Sequence, residues 1–197
     1  MRRRWLWAAC AAIGLAELTV ASLVLRPDVT EAYRAYYIDR STDCWPHQTA
    51  AAYAPGTTLS FVYGRGTPFD PNKLCGWFYP NAHGTWSYGR FSLLRFNFPP
   101  SDRPLRLTLA AGAMVTSAHP SQRVVVSANG TPLGTLLFDS PDAMVKTLEI
   151  PASLAAGGRL DLRFDYPDAR SGRELGPNED THLRALRMVA LTLAPVS

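Results

Sequence analysis

The stretch "QRVVVSANGTPLGTLLF", residues 122–138, holds the clearest signal for the fold of this chain. Two runs rich in aliphatic residues flank the pair Asn129-Gly130. Asn-Gly between two such runs is typical of a β-hairpin with a type I′ turn, because both turn residues of that type need a positive φ. The stretch therefore predicts two adjacent antiparallel strands. Asn129 also begins an Asn-Gly-Thr glycosylation sequon, but the tight turn is a sufficient explanation of it.

Similar short runs recur between turn signals from residue 57 onward and predict about eight strands. They are TTLSFVY (57–63), RFSLLRFNF (90–98), PLRLTLAAG (104–112), QRVVVSA (122–128), LGTLLF (133–138), VKTLEI (145–150), RLDLRFDY (159–166) and LRMVALTL (186–193). Several alternate cleanly between apolar and polar residues, so one face of each strand is buried. The pattern predicts an all-β protein, a jelly-roll-like antiparallel β-sandwich of two packed sheets.

The N-terminus predicts a membrane anchor. Three arginines, Arg2 to Arg4, precede 21 residues from Trp5 to Leu25 that contain one charged residue, Glu17. This length is enough for one transmembrane helix. Arginines on its N-terminal side place that end in the cytoplasm. A cleaved signal peptide is the alternative, with small residues at Thr19 and Ala21, although the apolar run continues past them.

The sequence thus predicts three parts: an anchor at 1–27, a membrane-proximal connector at 28–56 and an exported β-sandwich domain at 57–197. The expected location is the bacterial inner membrane, crossed once, with the C-terminal domain in the periplasm.

The anchor and connector also contain candidate residues for docking on partner proteins. Small residues every four positions allow a second helix to approach closely, and an ionisable residue in a membrane span usually faces a partner or water. These candidates are Ala8, Ala12, Ala16, Glu17, Tyr33 and Tyr37. Two alternatives stay open: the glutamate is tolerated without a partner, and the tyrosines either form an interfacial belt or pack on the following domain.

The three cysteines divide between the two parts of the chain. Cys10 lies in the predicted span, whereas Cys44 and Cys75 lie in the exported part. An even pair in an oxidising compartment predicts a Cys44–Cys75 disulfide and leaves Cys10 free. Neither exported cysteine has a second ligand at zinc-site spacing.

Two motifs over residues 76–193 resemble a known family. The first contains Gly76, Trp77, Pro80, Gly84, Trp86 and Ser87, and the second is "YPDARSGRELGPNEDTHLRALRMVALTL" at 166–193. Together they resemble the carbohydrate-binding-like β-sandwich domain attached to bacterial envelope glycosyltransferases and phosphoglycerol transferases. The resemblance implies a jelly-roll-type sandwich, an exported location and an association with envelope glycans. The chain departs from the family pattern at Asn81, His83 and His182, where the family tends to have Glu, an aromatic residue and Arg.

The first motif lies in an aromatic stretch, "CGWFYPNAHGTWSYG", residues 75–89. In a sandwich we expect Trp86 in the core and Trp77, Phe78 and Tyr79 nearer the surface. These rings either stack on a sugar or pack within the fold. The candidate ligand-binding residues are Trp77, Tyr79 and His83.

Enzyme chemistry is not predicted, and neither a metal nor a cofactor is expected. The four histidines have no motif that links them to a nucleophile. Glu174 and Asp180 are the one carboxylate pair worth naming for a glycosidase, but capping of loop amides explains them better. A calcium site formed by Asp165, Asp168, Glu174 and Asp180 lacks the close alternation of a calcium loop. The net charge of +4 is spread along the chain and predicts no nucleic-acid partner.

Two functions fit these observations. In the first, the protein is a membrane-anchored, periplasm-facing, non-catalytic accessory protein with a carbohydrate-binding-like sandwich, linked to envelope glycan binding or synthesis. In the second, it is a structural accessory subunit that docks on and stabilises a larger integral membrane protein complex through its transmembrane helix and sandwich. The expected partners are accordingly an envelope glycan or integral membrane proteins.

Overall fold

The computed structural model describes residues 2–25, 29, 52–177 and 179–196. The chain forms two compact units, Met1–Glu31 and Ala32–Ser197. The described residues of the first form the helix α1 (Arg2–Leu25), which is 24 residues long. Within the described residues, no helix combines the length and the apolar character that crossing a membrane requires. The helix lies where the sequence places it, but its prediction as a transmembrane span is not supported.

The second unit is built of short strands. In chain order they are β1 (Thr58–Ser60), β2 (Thr67–Pro68), β3 (Lys73–Cys75), β4 (Thr85–Trp86), β5 (Phe91–Asn97), β6 (Leu105–Ala113), β7 (Gln122–Ala128), β8 (Thr131–Phe138), β9 (Met144–Ile150), β10 (Arg159–Asp165), β11 (Arg170–Ser171), β12 (Leu183–Arg184) and β13 (Leu186–Pro195). Within residues 52–177 and 179–196, three short helical turns accompany them: a 3-10 turn at Asp70–Asn72, α2 (Ala152–Ala155) and α3 (Gly172–Leu175).

In the part of the chain that the structure describes, the strands form two large sheets and one small ribbon. One sheet has the order β2-β1-β13-β6-β9, with β4 also paired to β13, and the other has the order β3-β5-β10-β7-β8. The ribbon pairs β11 with β12. Each of the eight predicted strands is present, as β1, β5 to β10 and β13. Numbered one to eight along the chain, they take the orders 1-8-3-6 and 2-7-4-5, which is a jelly roll. The predicted all-β sandwich is confirmed.

Alternating side chains of both sheets form one core between them. Leu105, Leu107 and Leu109 of β6 and Leu162 and Phe164 of β10 are fully buried. The polar residues between them face outward, because successive strand residues point to opposite sides of a sheet. Full burial of each such side chain stabilises the fold by about 1.5–3 kcal/mol.

The hairpin at residues 122–138 has the predicted turn. Strands β7 and β8 pair antiparallel, with Ala128 opposite Thr131. Asn129 and Gly130 both have positive φ, 49° and 80°. The side-chain nitrogen Nδ2 of Asn129 donates hydrogen bonds to the backbone carbonyls of Leu154 and Arg159. The side chain of the sequon asparagine is therefore used within the fold.

Candidate functional site

The aromatic stretch 75–89 begins with a turn that only glycine fits. Gly76 has a φ of +72°, and a Cβ at this position would lie 2.1 Å from the carbonyl oxygen of Phe91. Both the left-handed backbone and this close approach exclude a larger residue. The turn lies between β3 and the next residue, Trp77, and directs that side chain inward.

Trp77 lies in the core, with 0% of its surface exposed. Its indole nitrogen donates a hydrogen bond to the Leu93 carbonyl at 3.2 Å. Its ring lies 5.2 Å from that of Phe61, 5.9 Å from Phe69 and 6.2 Å from Phe164, centroid to centroid. The prediction that Trp77 stacks on a ligand is therefore wrong, because no face of the ring is accessible.

The position predicted for Trp86 is also wrong, in the opposite direction. We expected it in the core, but it is only half-buried, and the Arg187 guanidinium lies 5.7 Å from its ring centroid. The neighbouring Thr85 faces inward instead, fully buried, and its hydroxyl donates a hydrogen bond to the Phe61 carbonyl. Alternation along β4 then turns Trp86 to the other face.

Phe78 belongs to a mixed cluster at the junction of the two sequence motifs. Its ring packs edge-on against Tyr88 and His182, at 4.7 Å and 5.7 Å between centroids. Arg184 lies over the Phe78 ring at 4.8 Å. Asp180 holds the cluster together by accepting hydrogen bonds from the His182 backbone and from Arg184. His182, which departs from the family pattern, thus has a packing role here.

The exposed part of the stretch contains a turn at residues 81–84, which lies beside another turn at residues 62–65. In the turn at 62–65 the backbone amide of Arg65 donates to the Val62 carbonyl, and in the turn at 81–84 the backbone amide of Asn81 donates to the Gly84 carbonyl. The amide of Tyr63 donates to the carbonyl of Asn81 at 2.9 Å and joins the two turns. We call the exposed side chains of these turns and their flanks the two-turn surface; they are Tyr63, Arg65, Tyr79, Asn81 and His83.

Two tyrosine rings dominate this surface. Tyr63 is 75% exposed and Tyr79 is 79% exposed. They are the large aromatic side chains that the described part of the sandwich leaves exposed. The Lys73 ammonium lies 5.2 Å from the Tyr79 ring centroid. The exposure predicted for Tyr79 is thus observed, and His83 is exposed as well, whereas binding by them stays a prediction.

Tyr63 was missed in the sequence. In the run "TTLSFVY", simple alternation continued from the buried Leu59 and Phe61 predicts that Tyr63 faces the core. The strand ends at Ser60, and the turn that follows carries Tyr63 outward. The glycines at positions 64 and 66 were the available signal for this early end.

The remaining predicted residues are spread over the chain. Ala12, Ala16 and Glu17 are exposed on α1. The side chain of Ala8, and the residues Tyr33, Tyr37 and Cys44, lie outside what the structure describes. Cys75 is buried at the end of β3. Because its expected partner is not described, the Cys44–Cys75 bond stays a prediction.

The acidic residues considered for calcium each have a different partner. Asp165 pairs with Arg163, and Asp168 pairs with Arg123, whose hydrogen bond lowers the pKa of Asp168 to about 2. Within the described residues no group of three His, Cys, Asp or Glu side chains is placed to hold a metal ion.

Glu174 forms a reciprocal capping box with Ser171 at the start of α3. The backbone hydrogen bond from Ser171 lowers the pKa of the Glu174 carboxyl. Capping of loop amides therefore explains Glu174, and the hydrogen bond from the His182 amide to Asp180 has the same role.

Comparison with known proteins gives similarity in structure only. No protein-family model matches the chain. A search of curated proteins gives no match. A carbohydrate-binding module, the CBM36-1 domain of a multidomain xylanase from the hindgut metagenome of Trinervitermes trinervoides, has a TM-score of 0.40 and 11% identity over 79% of this chain and 97% of its own. A second module, CBM36 in complex with calcium and xylotriose, has a TM-score of 0.39 and 10% identity over 78% and 98%.

A larger protein is similar over a shorter range. The insecticidal delta-endotoxin Cry8Ea1 from Bacillus thuringiensis has a TM-score of 0.39 and 11% identity. The similarity covers 56% of this chain and 19% of the toxin, so this chain matches about a fifth of the toxin's length. At such scores these structures carry no argument about this protein, and its fold rests on its own strand order.

Proposed function

We propose that this protein is a non-catalytic accessory protein that binds an envelope glycan through the two-turn surface of its β-sandwich. The observation that carries the proposal is the pair of exposed rings, Tyr63 and Tyr79, on segments joined by the hydrogen bond from the Tyr63 amide to the Asn81 carbonyl.

The chemistry of the two-turn surface suits a sugar. A pyranose has an apolar face of C–H groups and a rim of hydroxyls. A tyrosine ring offers an apolar face with a polar tip, and exposed rings gain most from a partner that covers them. The side-chain amide of Asn81 and the imidazole of His83 supply hydrogen-bonding groups near the rings.

The sequence resemblance over residues 76–193 supports an envelope glycan as the ligand. It also supports export of the sandwich. The proposal includes attachment at the bacterial inner membrane with the sandwich in the periplasm. Arg2 to Arg4 at the start of α1 support this orientation.

An accessory subunit of a larger membrane protein complex is the second candidate. It is favoured by large apolar side chains of α1 that are 60–77% exposed: Trp5, Trp7, Ile13, Leu15, Leu18 and Val20. Such side chains need an apolar environment, and a partner helix supplies one as a lipid does. In this case α1 and Glu17, rather than the two-turn surface, carry the function.

The test is binding of the full chain, purified in mild detergent, to an array of bacterial envelope glycans. The proposal predicts binding that the double variant Tyr63→Ala/Tyr79→Ala loses. The matched control removes two exposed apolar side chains from elsewhere on the sandwich, Leu137→Ala/Val145→Ala, and should bind normally. Absence of binding together with stoichiometric co-purification of an integral membrane protein would favour the second candidate.

A further inference from the structure

Arg65 is the feature of the two-turn surface that the proposed function leaves unused. It lies between Gly64 and Gly66, whose φ values of +68° and +60° set the turn. The side chain is exposed. It makes no ion pair or hydrogen bond to any residue that the structure describes. By contrast, Arg95, Arg123 and Arg163 on the other sheet each bind an aspartate.

The chain around this surface is basic. Residues 57–90 contain two arginines and one lysine against a single acidic residue, Asp70. The Lys73 ammonium lies 5.2 Å from the Tyr79 ring centroid, so a positive charge already occupies one face of the ring. A cation at that position attracts a negatively charged ligand.

We infer that the two-turn surface selects an anionic glycan, one whose sugars bear carboxylate or phosphate groups. The inference rests on the proposed function and specifies its ligand. In this arrangement the sugar ring stacks on Tyr79 and Tyr63, and the anionic group lies against Arg65. A guanidinium binds carboxylate or phosphate through two parallel hydrogen bonds, and this makes the contact directional as well as strong.

The turn geometry makes Arg65 suitable for this contact. Its amide donates to the Val62 carbonyl, and Tyr63, next in the chain to Val62, donates to Asn81. The arginine backbone is thereby fixed relative to the second turn. The two glycines carry the left-handed conformations, so the side chain of residue 65 can be exchanged without strain in the turn.

The test uses matched pairs of glycans and the full chain in mild detergent. Trigalacturonate is compared with its carboxyl-reduced neutral trimer, and phosphorylated envelope oligosaccharides are compared with their dephosphorylated counterparts. Affinity is measured by calorimetry for the native chain, for Arg65→Gln and for the control Arg103→Gln. Arg103 is also exposed, but it lies at the opposite end of the same sheet from the two-turn surface. It comes just before Leu105, which pairs with Pro195 at one end of β13. Tyr63 comes just after Phe61, whose amide donates to the Val189 carbonyl nearer the other end of β13.

The inference predicts that the charged member of at least one pair binds at least tenfold more tightly than its neutral counterpart. Arg65→Gln should remove most of this preference, Arg103→Gln should leave it unchanged, and added salt should weaken it. Equal binding of charged and neutral members would overturn the inference and leave the proposed function standing. Charge-dependent binding that Arg65→Gln does not change would also overturn it. If no member of any pair binds, the inference fails, and the glycan array decides the proposed function separately.

Discussion

Trp77 and Tyr79 are two residues apart in the same aromatic stretch, yet one is fully buried and the other is almost fully exposed. Both were candidates for stacking on a sugar, and their residue types give no reason to separate them. The difference comes from the backbone. The turn at Gly76 points Trp77 between the sheets, whereas Tyr79 leads into the Asn81–Gly84 turn at the edge. The aromatic content of a loop therefore does not identify a binding site until the inward and outward positions are known.

The largest effect should come from the buried member of the pair. Trp77→Ala removes the centre of a cluster with Phe61, Phe69 and Phe164, and should lower the free energy of unfolding by about 3–5 kcal/mol. Trp86→Ala is the matched control. Because Trp86 is half-buried, its loss should cost about 1 kcal/mol. Urea denaturation measures both, and equal costs would contradict the contrast between the two tryptophans.

The turn that separates Trp77 from Tyr79 gives the next effect. Gly76→Ala should cost about 1–2 kcal/mol for the left-handed backbone. The clash of its Cβ with the Phe91 carbonyl should add about 1–3 kcal/mol. Gly64→Ala has a similar φ of +68° but no atom within 4 Å of the new Cβ, so it should show the backbone cost alone. Thermal unfolding that ranks the two variants equally would show that the close approach at Gly76 is unimportant.

A smaller effect on the free energy of unfolding is expected from Asp161, on the outer face of strand β10. Partial burial raises the pKa of Asp161, but hydrogen bonds from Arg95 and Arg159 outweigh it and hold the pKa below its usual range. Because the folded pKa is lowered, this stabilisation is present above the unfolded pKa of about 3.9 and is lost as the pH falls through the folded value.

Asp161→Asn should therefore cost about 1 kcal/mol at pH 7 and flatten the loss of stability below about pH 4. Denaturation by urea at pH 7 and at pH 3 measures both effects. An identical dependence on pH in the native chain and in Asp161→Asn would show that the ion pairs of this carboxylate do not stabilise the fold.

The smallest effect on stability should come from the exposed member of the pair. Tyr79→Ala should change the free energy of unfolding by less than about 0.5 kcal/mol, because the ring buries little surface in the free protein. The same denaturation experiment measures it. A cost similar to that of Trp77→Ala would mean that Tyr79 is part of the fold rather than of a binding surface.

The strands were predictable because their physics is local. In "RLDLRFDY" the side chains of Leu160, Leu162 and Phe164 alternate with charged residues, and this pattern alone fixes which face is buried. The Asn129-Gly130 turn was equally local, since its residue types state the backbone conformation that it needs.

The site was predicted only in part, because it depends on contacts between distant segments. The positions of Trp77 and Trp86 depend on the pairing of β3 with β5 and of β4 with β13, which no local pattern contains. Tyr63 joins Tyr79 through a hydrogen bond between residues 63 and 81. The exposure of Tyr79 was predicted from the stretch itself, whereas its neighbours in space could not be predicted.

The central claim is that the two-turn surface, and not the buried part of the aromatic stretch, binds the glycan. It is tested most directly by NMR of the tyrosine ring signals in the ¹³C-labelled protein, titrated with a glycan that binds on the array. Tyrosine-to-phenylalanine variants assign the signals. We predict shifts of Tyr63 and Tyr79 and none of the buried Tyr53 and Tyr166. Saturable binding that leaves the Tyr63 and Tyr79 signals in place would contradict the claim.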